Sequence, residues 1–165
     1  MSASALPSFS LQEFSPLLPA ILLAIGAMVL MLTEAFSVSK SRGYQAILSA
    51  TVAAVAGYLA FQNTQLPAGL IMNGRGVTDG FSSWITVIVC LAAAMSSLLA
   101  FGFFRQRNTE RGEFYALLLF AAAGMSLLSI SNEFVTLFVN LELMSLATYA
   151  LAAFWRRGTR SVEAG

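Results

Sequence analysis

Long apolar runs alternate with short polar breaks along the whole chain, and that alternation predicts helices rather than strands. Five runs stand out, at 16–36, 43–61, 81–104, 114–131 and 134–155, with the second and fourth the shortest. Each approaches the roughly 20 apolar residues that a helix needs to cross a bilayer. Within hydrocarbon every backbone N–H and C=O must be paired inside its own segment, which selects helix over an isolated strand. The break between the second and third runs is the longest and contains LIMNGRGVT. Asn73-Gly74, flanked by apolar and β-branched residues, signals a tight turn, so a short β-hairpin is expected there. The expected fold is an all-α polytopic transmembrane bundle with one small hairpin, forming a single membrane domain over residues 1–165.

Composition sharpens this. The chain is 58% hydrophobic and 10% charged, against about 25% charged residues in ordinary soluble domains. Net charge is +1 with no histidine, so no basic surface for nucleic acid is expected and no imidazole serves metal or acid–base chemistry. The single cysteine, Cys90, excludes an internal disulfide or a multi-cysteine metal site and reads as a small packing residue. Methionine and phenylalanine, 7 and 13 in number, read as membrane filler. The first run is too long for a signal peptide, carries Glu13 rather than a basic flank, and has no small-residue cleavage site after it. It reads as a retained helix.

Basic residues fall on one side. Lys40 and Arg42, then Arg105, Arg107 and Arg111, then Arg156, Arg157 and Arg160 occupy alternate connections, while the intervening ones hold only Arg75. The positive-inside rule makes the basic side cytoplasmic and sends the N-terminus, the hairpin and the turn at 132–133 outward. Small residues recur four apart at Ala20 and Ala24, Ala53 and Gly57, and Ala92 and Ser96, a spacing that lets helix backbones approach. No low-complexity segment and no complete internal repeat is visible.

Most acids sit at run ends or in breaks. Glu34 lies one turn from the end of its run, within reach of the interface. Glu142, in FVNLELMSLATYA, is different, being only about 4 Å along the helix axis from the middle of the fifth run. A central charged residue costs about 2.5–3.5 kcal/mol on the insertion scale, and each Leu, Phe or Val returns about 0.3–0.6. The ten such residues in this run return about 3–6 kcal/mol, so the helix inserts but spends much of its margin on the acid. At 100° per residue Ser145 lies about 60° from Glu142 and Tyr149 about 20°, forming one polar stripe, with Asn140 on the opposite face. Water threaded along that stripe between helices would solvate the carboxyl, and burial would raise its pKa toward neutrality. Intramembrane acids commonly mark proton or ion paths. The alternative is a protonated glutamate that hydrogen-bonds a neighbouring helix and does nothing more.

GEFYALLLFAAAGMSLLSISNEFVTLFVNLELMSLATYALAAFWRRGTRSVEAG, at 112–165, resembles the subunit N family of NADH-quinone oxidoreductase, the respiratory complex I. LELMSL around Glu142 and the GEFY opening the fourth run carry most of the likeness. PLLPAILLAIGAMVLMLTEAF and DGFSSW extend it more loosely toward the start. The resemblance implies an antiporter-like, proton-translocating subunit of a bacterial inner membrane, with its N-terminus on the periplasmic side. Its partners would be the other membrane subunits of complex I and the lipid bilayer, with no nucleic acid and no soluble ligand bound directly. FMN, Fe–S clusters and quinone would belong to other subunits, leaving no cofactor and no redox active site in this chain. Glu142 would be the proton-exchanging residue, paired in the family with a lysine on a later helix, and Ser145 and Tyr149 would line its path. Here the only lysine is Lys40, in a break between runs, so the expectation is a piece of a longer subunit. Two further readings stay open: a subunit of a multi-subunit Na⁺/H⁺ antiporter, and a non-transporting structural or assembly fragment.

Overall fold

A computed structural model describes residues 11–36, 43–107 and 112–154. A 3₁₀ segment at Leu11–Leu17 leads into α1 (Leu18–Phe36), followed by α2 (Gly43–Asn63). Strands β1 (Gly69–Ile71) and β2 (Gly76–Thr78) come next, then α3 (Gly80–Arg107), α4 (Glu113–Ser129) and α5 (Phe134–Ala152). The all-helical bundle with one hairpin is the architecture that the apolar pattern predicts.

Local signals set the starts. Pro19 sits in the first turn of α1, where its missing N–H takes nothing from the helix. Asp79 caps α3: its carboxylate accepts from the Ser82 backbone N–H at 2.7 Å, and Ser82 Oγ accepts from the Asp79 N–H at 3.1 Å. This reciprocal pair is a capping box that satisfies two otherwise orphaned donors.

Four helices are long and apolar enough to cross a membrane, whereas α4 is shorter, with 17 residues. At 1.5 Å per residue α4 measures about 25 Å. It is also the most enclosed helix, packing against α1, α3 and α5. Its buried face runs through Tyr115, Ala116, Leu119, Ala122 and Ala123. These meet Leu23, Ala27 and Leu30 of α1, Ala46, Ala53 and Ala56 of α2, and Cys90, Ala93 and Phe104 of α3. A core this rich in alanine lets helices pack backbone against backbone, as association in lipid requires.

The predicted small-residue stripes hold for α1 and α2 but not for α3. Ala92 and Ser96 are exposed. The packed face of α3 is one residue further on, at Cys90, Ala93 and Ser97. Two observations fix that register: a Cβ at Gly57 would stand 3.1 Å from Cys90 Cβ, and the fully buried Ser97 hydroxyl bonds Ser49 Oγ at 2.9 Å. Cys90 is therefore a packing residue. One turn before Ser49, at the start of α2, the buried Gln45 donates from Nε2 to Glu34 Oε2 at 2.9 Å, tying α1 to α2.

The hairpin forms where expected, with a different turn. Ile71 pairs with Gly76, so four residues rather than two make the reversal. The left-handed conformation begins at Met72 (φ 53°) and continues through Asn73 (57°) and Gly74 (88°). The hairpin is docked onto the α4–α5 connection. Val77 N–H donates to the Ile130 carbonyl at 2.8 Å, Asn132 N–H to the Arg75 carbonyl at 3.0 Å, and Asn132 Nδ2 to the Gly74 carbonyl at 2.8 Å.

Arg75 and Glu133 approach to 3.7 Å, but both side chains are more than half exposed. An ion pair of that kind contributes less than about 1 kcal/mol. Arg75→Ala is accordingly expected to leave thermal stability nearly unchanged, because its carbonyl, not its side chain, is gripped. Gly74→Val is expected to cost about 1–3 kcal/mol by forcing a branched residue into left-handed backbone. Melting of the two variants in detergent checks the order, and an equal loss would refute it.

Of the residues carrying the orientation signal, Lys40, Arg42, Arg111, Arg156, Arg157 and Arg160 lie outside the described residues, as does Trp155 at the end of the fifth run. Among those described, the exposed Arg105 stands near the far end of α3 from the hairpin that bears Arg75.

Candidate functional site

The site is built on α5, and α5 is held by one face only. Ala147 is its single buried residue, and α4 is its principal neighbour. A Cβ placed on Gly124 of α4 would lie 2.8 Å from Met144 N and 2.9 Å from Met144 Cα. The two backbones therefore touch, and glycine at 124 permits it. One turn before Met144, Asn140 reaches from α5 to the end of α4. Its Nδ2 donates to the Leu127 carbonyl at 3.1 Å and to Ser131 Oγ at 2.8 Å. Ser131 Oγ itself donates to the same Leu127 carbonyl at 3.0 Å, closing a three-membered polar knot.

With Asn140, Met144 and Ala147 against α4, helical periodicity sends Glu142 to the other side, about 140–160° from that stripe. Glu142 is exposed, and among the described residues it has no hydrogen-bond or ion-pair partner. Ser145 is half-buried and Tyr149 is 55% exposed. The Glu142 stripe is thus presented outward, between Phe138 and Leu146, which are more than half exposed too. The water-threaded seat between helices that the sequence suggested is not formed by the described helices, which leave the acid open.

Sequence reasoning placed Asn140 opposite Glu142 without assigning it a partner, and it passed over Gly124. Asn140 was legible as an amide in an apolar run, and a polar side chain in hydrocarbon has to find a partner. Its partner Ser131 lies nine residues earlier, across the turn. Gly124, inside the small-residue run AAAG, carried no comparable sign.

An apolar helical bundle with a carboxylate near the middle of an open helix defines a polytopic membrane protein with an intramembrane acid. Along nearly its full length the chain is a relative of the subunit N family of NADH-quinone oxidoreductase. The subunit N of Myxococcus xanthus is 52% identical over 161 residues, covering 97% of this chain and 31% of that protein. That of Erythrobacter litoralis is 37% identical over 153 residues, 90% of this chain and 31% of the relative. A protein named subunit N 1 from Sorangium cellulosum is 33% identical over 160 residues, 88% of this chain and 32% of the relative. The chain therefore spans about a third of the length of the curated relatives it matches. No family model matches it.

Proposed function

We propose that the chain is part of a membrane subunit of a proton-pumping NADH:quinone oxidoreductase and that Glu142 exchanges protons within the bilayer. The observation that carries this is the placement of Glu142, near mid-helix on α5 and facing away from its own bundle. An acid held there for packing alone would face α4, as Asn140 does. Moving one elementary charge through 100 mV costs about 2.3 kcal/mol. A carrier has to change its charge in step with another event. Glu142 is neutral when protonated and anionic when not, so it holds a proton until its surroundings change and then releases it. The group that drives that change belongs to a helix outside the described residues. Ser145 and Tyr149 line the approach, offering hydroxyls that accept and donate along a file of water.

FMN, Fe–S clusters and quinone belong to other subunits in this reading, and the neighbours of this chain are membrane subunits of the same assembly. The names of the relatives favour a redox-driven pump over a Na⁺/H⁺ antiporter. An outward, periplasmic N-terminus in a bacterial inner membrane is supported by the basic connections and by Arg105 standing at the opposite end of α3 from the hairpin.

The test is Glu142→Gln, which keeps the shape and removes the exchangeable proton. In native membranes containing the whole assembly, protons moved per electron are expected to fall while NADH:quinone electron transfer persists. An unchanged ratio would overturn the assignment.

A further inference from the structure

We propose that Asn140 is a positioning residue, which locks the rotation and depth of α5 against α4 and so aims Glu142 away from the bundle. The purpose of that aim rests on the reading of Glu142 as a proton exchanger.

Little else holds α5 in one orientation. Its contact with α4 is backbone on backbone at Gly124 and Met144, flanked by the small Ala147. Such a surface is smooth, and van der Waals contact alone resists neither a slide nor a twist along it strongly. The apolar side chains of α5 add no preference for one rotation, and lipid by itself would not hold the Glu142 stripe outward. Leu137, Leu141 and Leu146 would each be equally at home against α4 or against acyl chains.

A hydrogen bond in hydrocarbon is directional, and its loss leaves a donor with no water to replace the partner. Asn140 makes two such bonds to the end of α4. Nothing else among the described residues bonds the membrane-embedded part of α5 to α4 through side chains. Thr136, one turn earlier, bonds the Arg75 carbonyl of the hairpin instead, at 3.3 Å. A slip of one residue along this interface would turn Glu142 by about 100° and move it about 1.5 Å. The carboxylate would then swing from the open face toward the α4 groove. Asn140 forbids that slip because Leu127 is fixed in the last turn of α4 and Ser131 in the connection after it, which is itself pinned by the hairpin.

Few other charges bear on the result. Tyr149 is the one titratable side chain sharing the face of Glu142 among the described residues. On α4, Glu113 and Tyr115 lie near the end of α5 where Phe114 packs on Phe154, ring centroids 5.7 Å apart. That is about 18 Å along the axis from Glu142.

The experiment uses the intact assembly in native membranes and reads the carboxyl stretching band of Glu142 by infrared difference spectroscopy, identified by its loss in Glu142→Gln. Asn140→Leu is expected to assemble and to displace the pH midpoint of that band by about half a unit or more. Ser131→Ala, which removes one of the two bonds, is expected to shift it less and in the same direction. The double variant is expected to go no further than Asn140→Leu, since both changes break one latch. An unmoved midpoint in assembled Asn140→Leu, or additive shifts, overturns the proposal. Should Asn140→Leu fail to assemble, Ser131→Ala decides alone, and an unmoved midpoint there overturns it as well. If Glu142→Gln pumps normally while Asn140→Leu still moves the band, the proton role fails and the positioning role stands.

Discussion

Replacing Gly124 with leucine is expected to detach α5 from the bundle. The first carbon of any side chain at 124 would lie 2.8 Å from Met144 N, 2.9 Å from its Cα and 3.1 Å from its Cβ. Two of those three atoms are backbone, so no rotamer change relieves the clash and the whole helix has to move. Overpacking a well-fitted interface costs about 1–3 kcal/mol when side chains can yield, and here the cost is at the top of that range or above it. Displacing α5 also breaks both Asn140 bonds, because Leu127 stays with α4 and Ser131 with the pinned connection after it. Two other glycines calibrate the effect. At Gly26 the three atoms nearest the added carbon all belong to the Val52 side chain, the first at 2.6 Å, while at Gly102 it meets nothing within 4 Å. Thermal inactivation and steady-state level of the assembled protein are expected to fall most for Gly124→Leu, less for Gly26→Ala, and not at all for Gly102→Ala. Equal tolerance at 124 and 102 would show that the helices are not in backbone contact.

The same interface shows what was legible in the sequence. The helices could be read because apolar runs of sufficient length have one outcome in lipid, and the hairpin because Asn73-Gly74 favours left-handed backbone. The facing of each helix was harder. In water an amphipathic stripe marks the buried side, but in lipid both sides are apolar and the stripe disappears. That is why Ala92 and Ser96 looked as plausible as Ala93 and Ser97, and only the contacts with Ser49 and Gly57 separate them. Polar residues escape this ambiguity, since each needs a partner. The position of Asn140 opposite Glu142 was visible from periodicity. Which of the two faces its own bundle was not, because that depends on a turn that brings Ser131 back beside residue 140. Nor could the surroundings of Glu142 be read, because the described residues place nothing over it.

Glu142→Leu is expected to make α5 a better membrane helix and a useless one. At mid-helix a charged residue costs about 2.5–3.5 kcal/mol on the insertion scale, whereas leucine returns about 0.3–0.6. The exchange therefore favours insertion by about 3–4 kcal/mol, which is a factor of more than a hundred in the equilibrium. Little in the described fold opposes it, because Glu142 has no partner there to lose and already sits among exposed apolar side chains. Asn140→Leu removes a polar group from the same helix but breaks the latch to Ser131 and Leu127, so it is not expected to gain in the folded protein. A glycosylation-mapping assay on the α5 segment measures the insertion term directly, and expression of the assembly reports whether the gain survives folding. Proton movement per electron is expected to be lost in the same variant. Gain in one assay with loss in the other would identify Glu142 as a residue kept against the preference of the bilayer. If Glu142→Leu inserts no better than the parent, the acid is already sheltered as α5 enters the membrane, and its cost is smaller than its depth implies.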